Sequence, residues 1–167
     1  CGMMGTANTM GTLVEAMGLS LPGCGTISAV ASSRLRLAKT RGERIVDMVR
    51  EDLISSKIMT KGNMENAIKY ILAIGGSSNT ILHIPAIAKQ LGIECNMDLF
   101  DDLSRSTPLL AKFKPASKYT LKDFHRAGGV QALLKSLESK LDLNVMTVTG
   151  KTVKENLEKV KFVESDI

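Results

Sequence analysis

Apolar residues return at helical intervals along almost the whole chain, and glycine or proline closes most of the runs. Met10, Leu13, Val14 and Met17 fall at i, i+3, i+4 and i+7, the spacing of one face of an α-helix. Thr6 or Asn8 is placed to cap its start, Gly18 to end it and Pro22 to block its continuation. Leu35, Ala38, Ile45, Val49 and Leu53 mark a second, longer helix, in which Gly42 is expected to be a point of close packing. Met64, Ala67, Ile68, Ile71 and Leu72 mark a third, capped by Asn63 and ended by Gly75-Gly76. In the fourth, Pro85 removes a backbone donor and crowds the preceding turn, so the helix must begin near Leu82 or kink. Asn96 predicts the start of a short helix carrying Phe100 and Leu103, and Thr107-Pro108 predicts another start. Thr120 with Asp123, and Thr152 with Glu155, have the spacing of capping boxes. Val130, Leu133, Leu134, Leu137 and Leu141 form one more face. "NVMTVTG" (144–150) is the best strand candidate. That supply is too poor for a self-sufficient sheet. The expected fold is mostly α, with at most one or two short strands, forming the helical part of a larger α/β/α domain.

Composition narrows the class further. The 167 residues are enough for one domain, and 1–167 reads as a single segment without linker or repeat. Aromatic residues make up only 4% and tryptophan is absent, so the core must be built from aliphatic side chains and the nine methionines. No apolar run reaches the ~18–20 residues of a membrane span, and no secretory leader pattern is visible. Cys1, Cys24 and Cys95 are odd in number, widely separated and without a CxxC pair, which argues against a disulfide framework and for a reducing compartment. The net charge of +5 could favour small anionic acids near a site. Nucleic-acid binding is excluded as a reading, because a basic stripe interleaved with stacking aromatics is missing. The alternating signs of "SSRLRLAKTRGERIVDMVRED" (32–52) describe a solvated helix face.

Four features remain that could carry chemistry. Cys1 stands on a glycine-rich loop beside a helix start, where free N–H groups and the helix dipole would stabilise a thiolate able to bind soft metal or an iron–sulfur cluster. A plain surface thiol is the alternative. "GGSSNT" (75–80) could cradle a carboxylate or phosphate with its N–H groups and hydroxyls, or serve only to end one helix and start the next. His83 and His125 read as hydrogen-bonded packing residues, with a pocket role as the alternative. "TGKT" (149–152) is not a phosphate-binding loop, since the required glycine five residues before Gly150 is Val145.

Taken together and in order, "CGMMGTANTMGTLVEAMGLSLPG", "GGSSNTILHIPAIAKQLGI", "DDLSRSTPLL", "DFHRAGG" and "TVTGKTVKENL" closely resemble the dihydroxy-acid dehydratase family, which also includes sugar-acid dehydratases. The likeness covers essentially the whole chain. It implies that the stretch from Cys1 corresponds to the middle of a family member several hundred residues long, and that 1–167 is the C-terminal portion of the N-terminal domain. Cys1 would then be one of three cysteine ligands of an iron–sulfur cluster, of 2Fe–2S or 4Fe–4S type. Met4, Gly5 and Thr6 would follow it toward a substrate pocket. The other cluster cysteines, the magnesium ligands and the catalytic serine base fall outside the matched stretch, so this chain alone is expected to be inactive. For the whole protein the resemblance implies conversion of 2,3-dihydroxy-3-methyl acids to 2-oxo acids in branched-chain amino-acid synthesis. The implied cofactors are the cluster and Mg2+. The implied setting is a cytoplasmic homodimer (organellar in a plant or fungus) without membrane or nucleic-acid partners. A sugar-acid dehydratase is the second reading, and a non-catalytic helical scaffold or binding protein the third.

Overall fold

A computed structural model describes residues 2–161. Its elements are α1 (Thr6–Ala16), α2 (Ser32–Arg50), α3 (Ser55–Ile58), α4 (Lys61–Ala73), α5 (Thr80–Gln90), α6 (Met97–Ser106), α7 (Leu121–Arg126), α8 (Gly129–Ser136), a 3-10 turn (Glu138–Lys140) and α9 (Val153–Leu157). The mostly helical expectation holds. Among the described residues the extended geometry of 144–152 amounts to one antiparallel bridge, Met146 to Thr152. The reason is local: the Thr147 N–H donates to the Lys151 carbonyl and the Gly150 N–H to that of Thr147. The segment therefore folds back on itself before a ladder can form.

Helix α4 lies at the centre, against α1, α5 and α6. Met64, Ala67, Ile68, Tyr70 and Ile71 along it are all buried. Leu13, Ala16 and Met17 of the α1 region, Ile84 and Ala88 of α5, Phe100 of α6 and Val130, Leu133 and Leu134 of α8 complete one continuous core with it. Each fully buried aliphatic side chain contributes on the order of 1.5–3 kcal/mol, and the few aromatic residues Tyr70, Phe100, Phe113 and Phe124 are buried in the same core.

Several start signals act as read. Asn96 accepts from the Leu99 N–H at 3.0 Å, and the capping boxes at Thr120–Asp123 and Thr152–Glu155 are both formed. Others need correction. Thr6 lies inside α1, whose N-cap is Gly5 without a side-chain bond, and Asn8 instead donates to the Met3 carbonyl at 2.7 Å. Thr60, not Asn63, caps α4. Asn63 is buried and donates to the carbonyls of Met17 (3.1 Å) and Met146 (3.2 Å), tying three segments together. Helix α5 starts at Thr80 and runs through Pro85, the packing of Ile84 and Ala88 offsetting one lost backbone bond. Thr107 starts no helix. Its hydroxyl closes α6 by donating to the Leu103 carbonyl at 2.8 Å, and the following chain crosses α4, with Leu110 and Ala111 both donating to the Ala73 carbonyl.

Helix α2 differs from the rest. It buries no residue, and a side chain at Gly42 would meet nothing within 4 Å, so the expected close packing is absent within this chain. Arginines tether it instead. Arg44 donates to the Val148 carbonyl at 2.5 Å and grips Glu51 with both terminal nitrogens at 2.7 and 2.6 Å. Arg34 donates to the Ile27 carbonyl at 3.1 Å. Between α2 and the body lies a groove of about 1430 Å³, lined by Gly2, Val14, Cys24, Ile45, Met48 and Ile54 among others.

Candidate functional site

Cys1 lies outside the described residues, but the loop that carries it is held from several sides. The Gly2 carbonyl accepts from the Leu121 N–H at 2.9 Å, and the Met4 N–H donates to the Lys114 carbonyl at 2.9 Å. Asn8, one turn into α1, draws in the Met3 carbonyl. The Met4 side chain is buried in the core. Residues 2–5 therefore hang from α7, the 111–119 segment and α1 together, and the polypeptide next to Cys1 is rigidly positioned.

The loop delivers the chain into α1 through Gly5. The N-cap residue of α1, Gly5, makes no side-chain cap hydrogen bond, and the first turn holds no acidic residue. The first turn of α5 holds no acidic residue either, and its N–H groups at Thr80, Ile81 and Leu82 donate to the carbonyls of Ser77, Ser78 and Asn79. The two starts are stitched together by side chains that the sequence places seventy residues apart. The hydroxyls of Thr6 and Ser77 lie 3.1 Å from each other. Asn79 donates to the Thr6 hydroxyl at 2.8 Å, and the buried Thr9 hydroxyl accepts from the Ser77 N–H at 3.1 Å. The starts of α1 and α5 thus meet at one junction, with both dipoles presenting their positive ends there. The Cys1 motif and the "GGSSNT" motif form one structure. Gly5 leaves it open, since a side chain there would meet nothing within 4 Å.

At the opposite, C-terminal end of α1 sits Glu15, a residue the motif reading passed over. It is buried, and its carboxylate accepts from the Gly23 N–H at 2.8 Å, the Gly25 N–H at 2.7 Å and Gln131 at 2.8 Å. Burial pushes its protonation above the ordinary carboxylate value, while the Gln131, Gly25 and Gly23 hydrogen bonds pull the other way. The signal was present in Thr6, Thr9, Thr12 and Glu15, four polar residues at three-residue intervals, of which the last three are buried. Glu15 shapes the 19–26 loop, which lines the groove beside Gly2.

The histidines do not enter this site. His83 is exposed, because α5 buries the Thr80, Ile84 and Ala88 face and His83 lies off it; the packing role expected of it is corrected. His125 is exposed as well but hydrogen-bonds Thr26 at 2.8 Å through Nδ1, pinning the far end of the 19–26 loop. Cys24 and Cys95 are free, partly buried thiols. Among the described residues no three His, Cys, Asp or Glu side chains come together as a metal site. The described residues therefore do not by themselves form a ligand set for an iron–sulfur cluster or for magnesium.

Residues 1–156 match the family model described as dihydroxy-acid/6-phosphogluconate dehydratase N-terminal. The chain is 51% identical over 163 residues to a protein of Methanococcoides burtonii named dihydroxy-acid dehydratase, covering 98% of this chain and 30% of that protein. A protein of the same name from Methanothermobacter thermautotrophicus is 48% identical over 168 residues, covering 100% of this chain and 31% of its own length. Another from Caldicellulosiruptor bescii is 51% identical over 159 residues, covering 94% and 29%. The chain thus spans under a third of the length of these relatives, and it belongs to the dihydroxy-acid/6-phosphogluconate dehydratase family as part of that family's N-terminal region.

Proposed function

We propose that the protein carrying this chain removes water from 2,3-dihydroxy-3-methyl acids to give 2-oxo acids, as a cytoplasmic homodimeric hydro-lyase of branched-chain amino-acid synthesis. The observation that supports it most is the junction of the α1 and α5 starts beside the Cys1 loop, in a chain about half identical throughout to proteins named dihydroxy-acid dehydratase. On this reading Cys1 gives one thiolate to an iron–sulfur cluster, whose other ligands, like those of magnesium, come from outside the chain. Such a cluster supplies an electron-poor iron that eases departure of a hydroxyl group.

The chain's own residues position and polarise. The backbone anchors at Gly2 and Met4 hold the loop that leads into α1, and the positive end of the α1 dipole would favour the ionised form of a cysteine beside it. Gly5 keeps the approach to that start open, and the Thr6 hydroxyl, held by Ser77 and Asn79, is oriented at its rim. Met4 contributes from below, by filling the core under the loop. The positive ends of the two helix dipoles favour a negatively charged group such as the substrate's carboxylate near the junction. No described helix is long and apolar enough to cross a membrane.

The test is oxo-acid formation by the anaerobically prepared full-length protein, with 2,3-dihydroxyisovalerate and gluconate offered separately. Turnover of the branched acid supports the reading. Turnover of gluconate alone replaces it by a sugar-acid dehydratase, and no turnover without cluster absorbance leaves a helical scaffold.

A further inference from the structure

Asn79 stands at the N-cap of α5, a position that asparagine fills better than most residues by accepting from a first-turn N–H. Here its side chain makes no cap hydrogen bond. It reaches to α1 instead, where its Nδ2 donates to the Thr6 hydroxyl at 2.8 Å. Its backbone N–H donates to the Ser77 hydroxyl at 3.3 Å. The Thr6 and Ser77 hydroxyls are half-buried and 3.1 Å apart. The residue best suited to cap α5 thus serves a threonine of the helix that follows Cys1.

Each hydroxyl carries one proton and two lone pairs, and the mutual bond spends one of the two protons. If Ser77 gives it, the lone pairs of Thr6 are filled by Ser77 and the Asn79 amide, and the Thr6 proton is left over. If Thr6 gives it, the lone pairs of Ser77 are filled by Thr6 and the Asn79 N–H, and the Ser77 proton is left over. Either way one oxygen is fixed as a donor with no lone pair to spare, so it calls for an acceptor. The strongest acceptor on a 2,3-dihydroxy acid is its carboxylate. Approach is open on the Thr6 side, since a side chain at Gly5 would meet nothing within 4 Å.

We propose, resting on the dehydratase reading, that Thr6 donates its hydroxyl proton to the substrate's carboxylate and that Asn79 is the positioning residue that holds that proton outward by filling a Thr6 lone pair. The carboxylate keeps its charge from substrate to product. Most of the bond is therefore made in the ground state, and its loss is read chiefly in KM.

The test uses the full-length, cluster-loaded protein, with circular dichroism and iron content matched across variants. Thr6→Val should raise KM for 2,3-dihydroxyisovalerate about ten- to hundredfold, the worth of a hydrogen bond to a charged group. Thr6→Ser, which returns the hydroxyl, should recover most of that loss. Calorimetry with 2-hydroxyisovalerate, which keeps the carboxylate and lacks the departing hydroxyl, should show the same weakening. Asn79→Ala should raise KM in the same sense. Asn79→Asp keeps the size but turns an acceptor on Thr6, so it should cost at least as much. In a Thr6→Val background Asn79→Ala should add less than about twofold, because Asn79 acts through Thr6. Effects that multiply instead overturn the proposal and leave the dehydratase reading in place. So do Thr6→Val and Asn79→Asp proteins with the parent's KM and binding. A parent protein that turns over neither 2,3-dihydroxyisovalerate nor gluconate overturns both.

Discussion

Replacing Glu15 by alanine removes the acceptor for three donors at once: the N–H groups of Gly23 and Gly25 and the side chain of Gln131. A donor left unpaired away from water costs about 1–3 kcal/mol. Part of that sum returns, because the protein no longer holds a carboxylate in its interior, a cost seen in the upward displacement of Glu15's protonation by burial. The net loss is then about 2–4 kcal/mol, concentrated in the 19–26 loop. In hydrogen–deuterium exchange of the full-length protein, that loop should open about 30- to 700-fold more often, at 1.4 kcal/mol per tenfold. The core amides of α4 should change far less. If exchange across 19–26 stayed within about threefold of the parent, Glu15 would not be what holds the loop, and its buried carboxylate would need another explanation.

Other perturbations have equally definite outcomes. The folded protein binds the Glu15 proton more tightly than the unfolded chain, so this site's contribution to stability is complete below the ordinary value of 4.5 and is lost as pH rises through the folded value. Glu15→Gln should flatten that part of the stability–pH curve, and denaturant melts across the range would show an unaltered slope if the account is wrong. Thr120→Ala removes the cap of a six-residue helix whose first N–H holds the Gly2 carbonyl. It should cost about 1 kcal/mol and speed exchange in residues 2–5, whereas a change confined to 121–126 would separate the cap from the Cys1 loop. A Cβ at Gly25 would lie 2.8 Å from Thr12 Cα and 2.9 Å from the Gly11 carbonyl oxygen. Because both are backbone, Gly25→Ala should lower stability by about 1–3 kcal/mol, and an unchanged melting temperature would contradict that close approach.

Much of this fold is legible in one sequence because its helices obey local rules. The Met10–Met17 and Met64–Leu72 spacings, the Asn96 cap and both capping boxes rest on contacts within four or five residues. What stayed illegible is set by distant partners. Asn63 looks like a cap until Met17 and Met146 come within reach of its amide. Thr107-Pro108 has the chemistry of a helix start, but Ala73 claims the N–H groups that follow. The stripe of α2 reads as a buried face, yet its arginines and not its aliphatic side chains meet the body. In the candidate site, Cys1 and "GGSSNT" each stood out alone. The junction of the α1 start with "GGSSNT" through Thr6, Ser77 and Asn79 depends on how α1 and α5 cross α4, which periodicity does not encode.

The central claim is that Cys1 supplies a cluster thiolate from a loop held rigid for that purpose. Its most direct test is the iron and acid-labile sulfide content of the anaerobically purified full-length protein, measured beside a Cys1→Ser variant with matched circular dichroism. The account predicts a stoichiometric cluster in the parent protein, with its loss or marked depletion in the variant. A Cys1→Ser protein that keeps the parent's iron, sulfide and absorbance would contradict it.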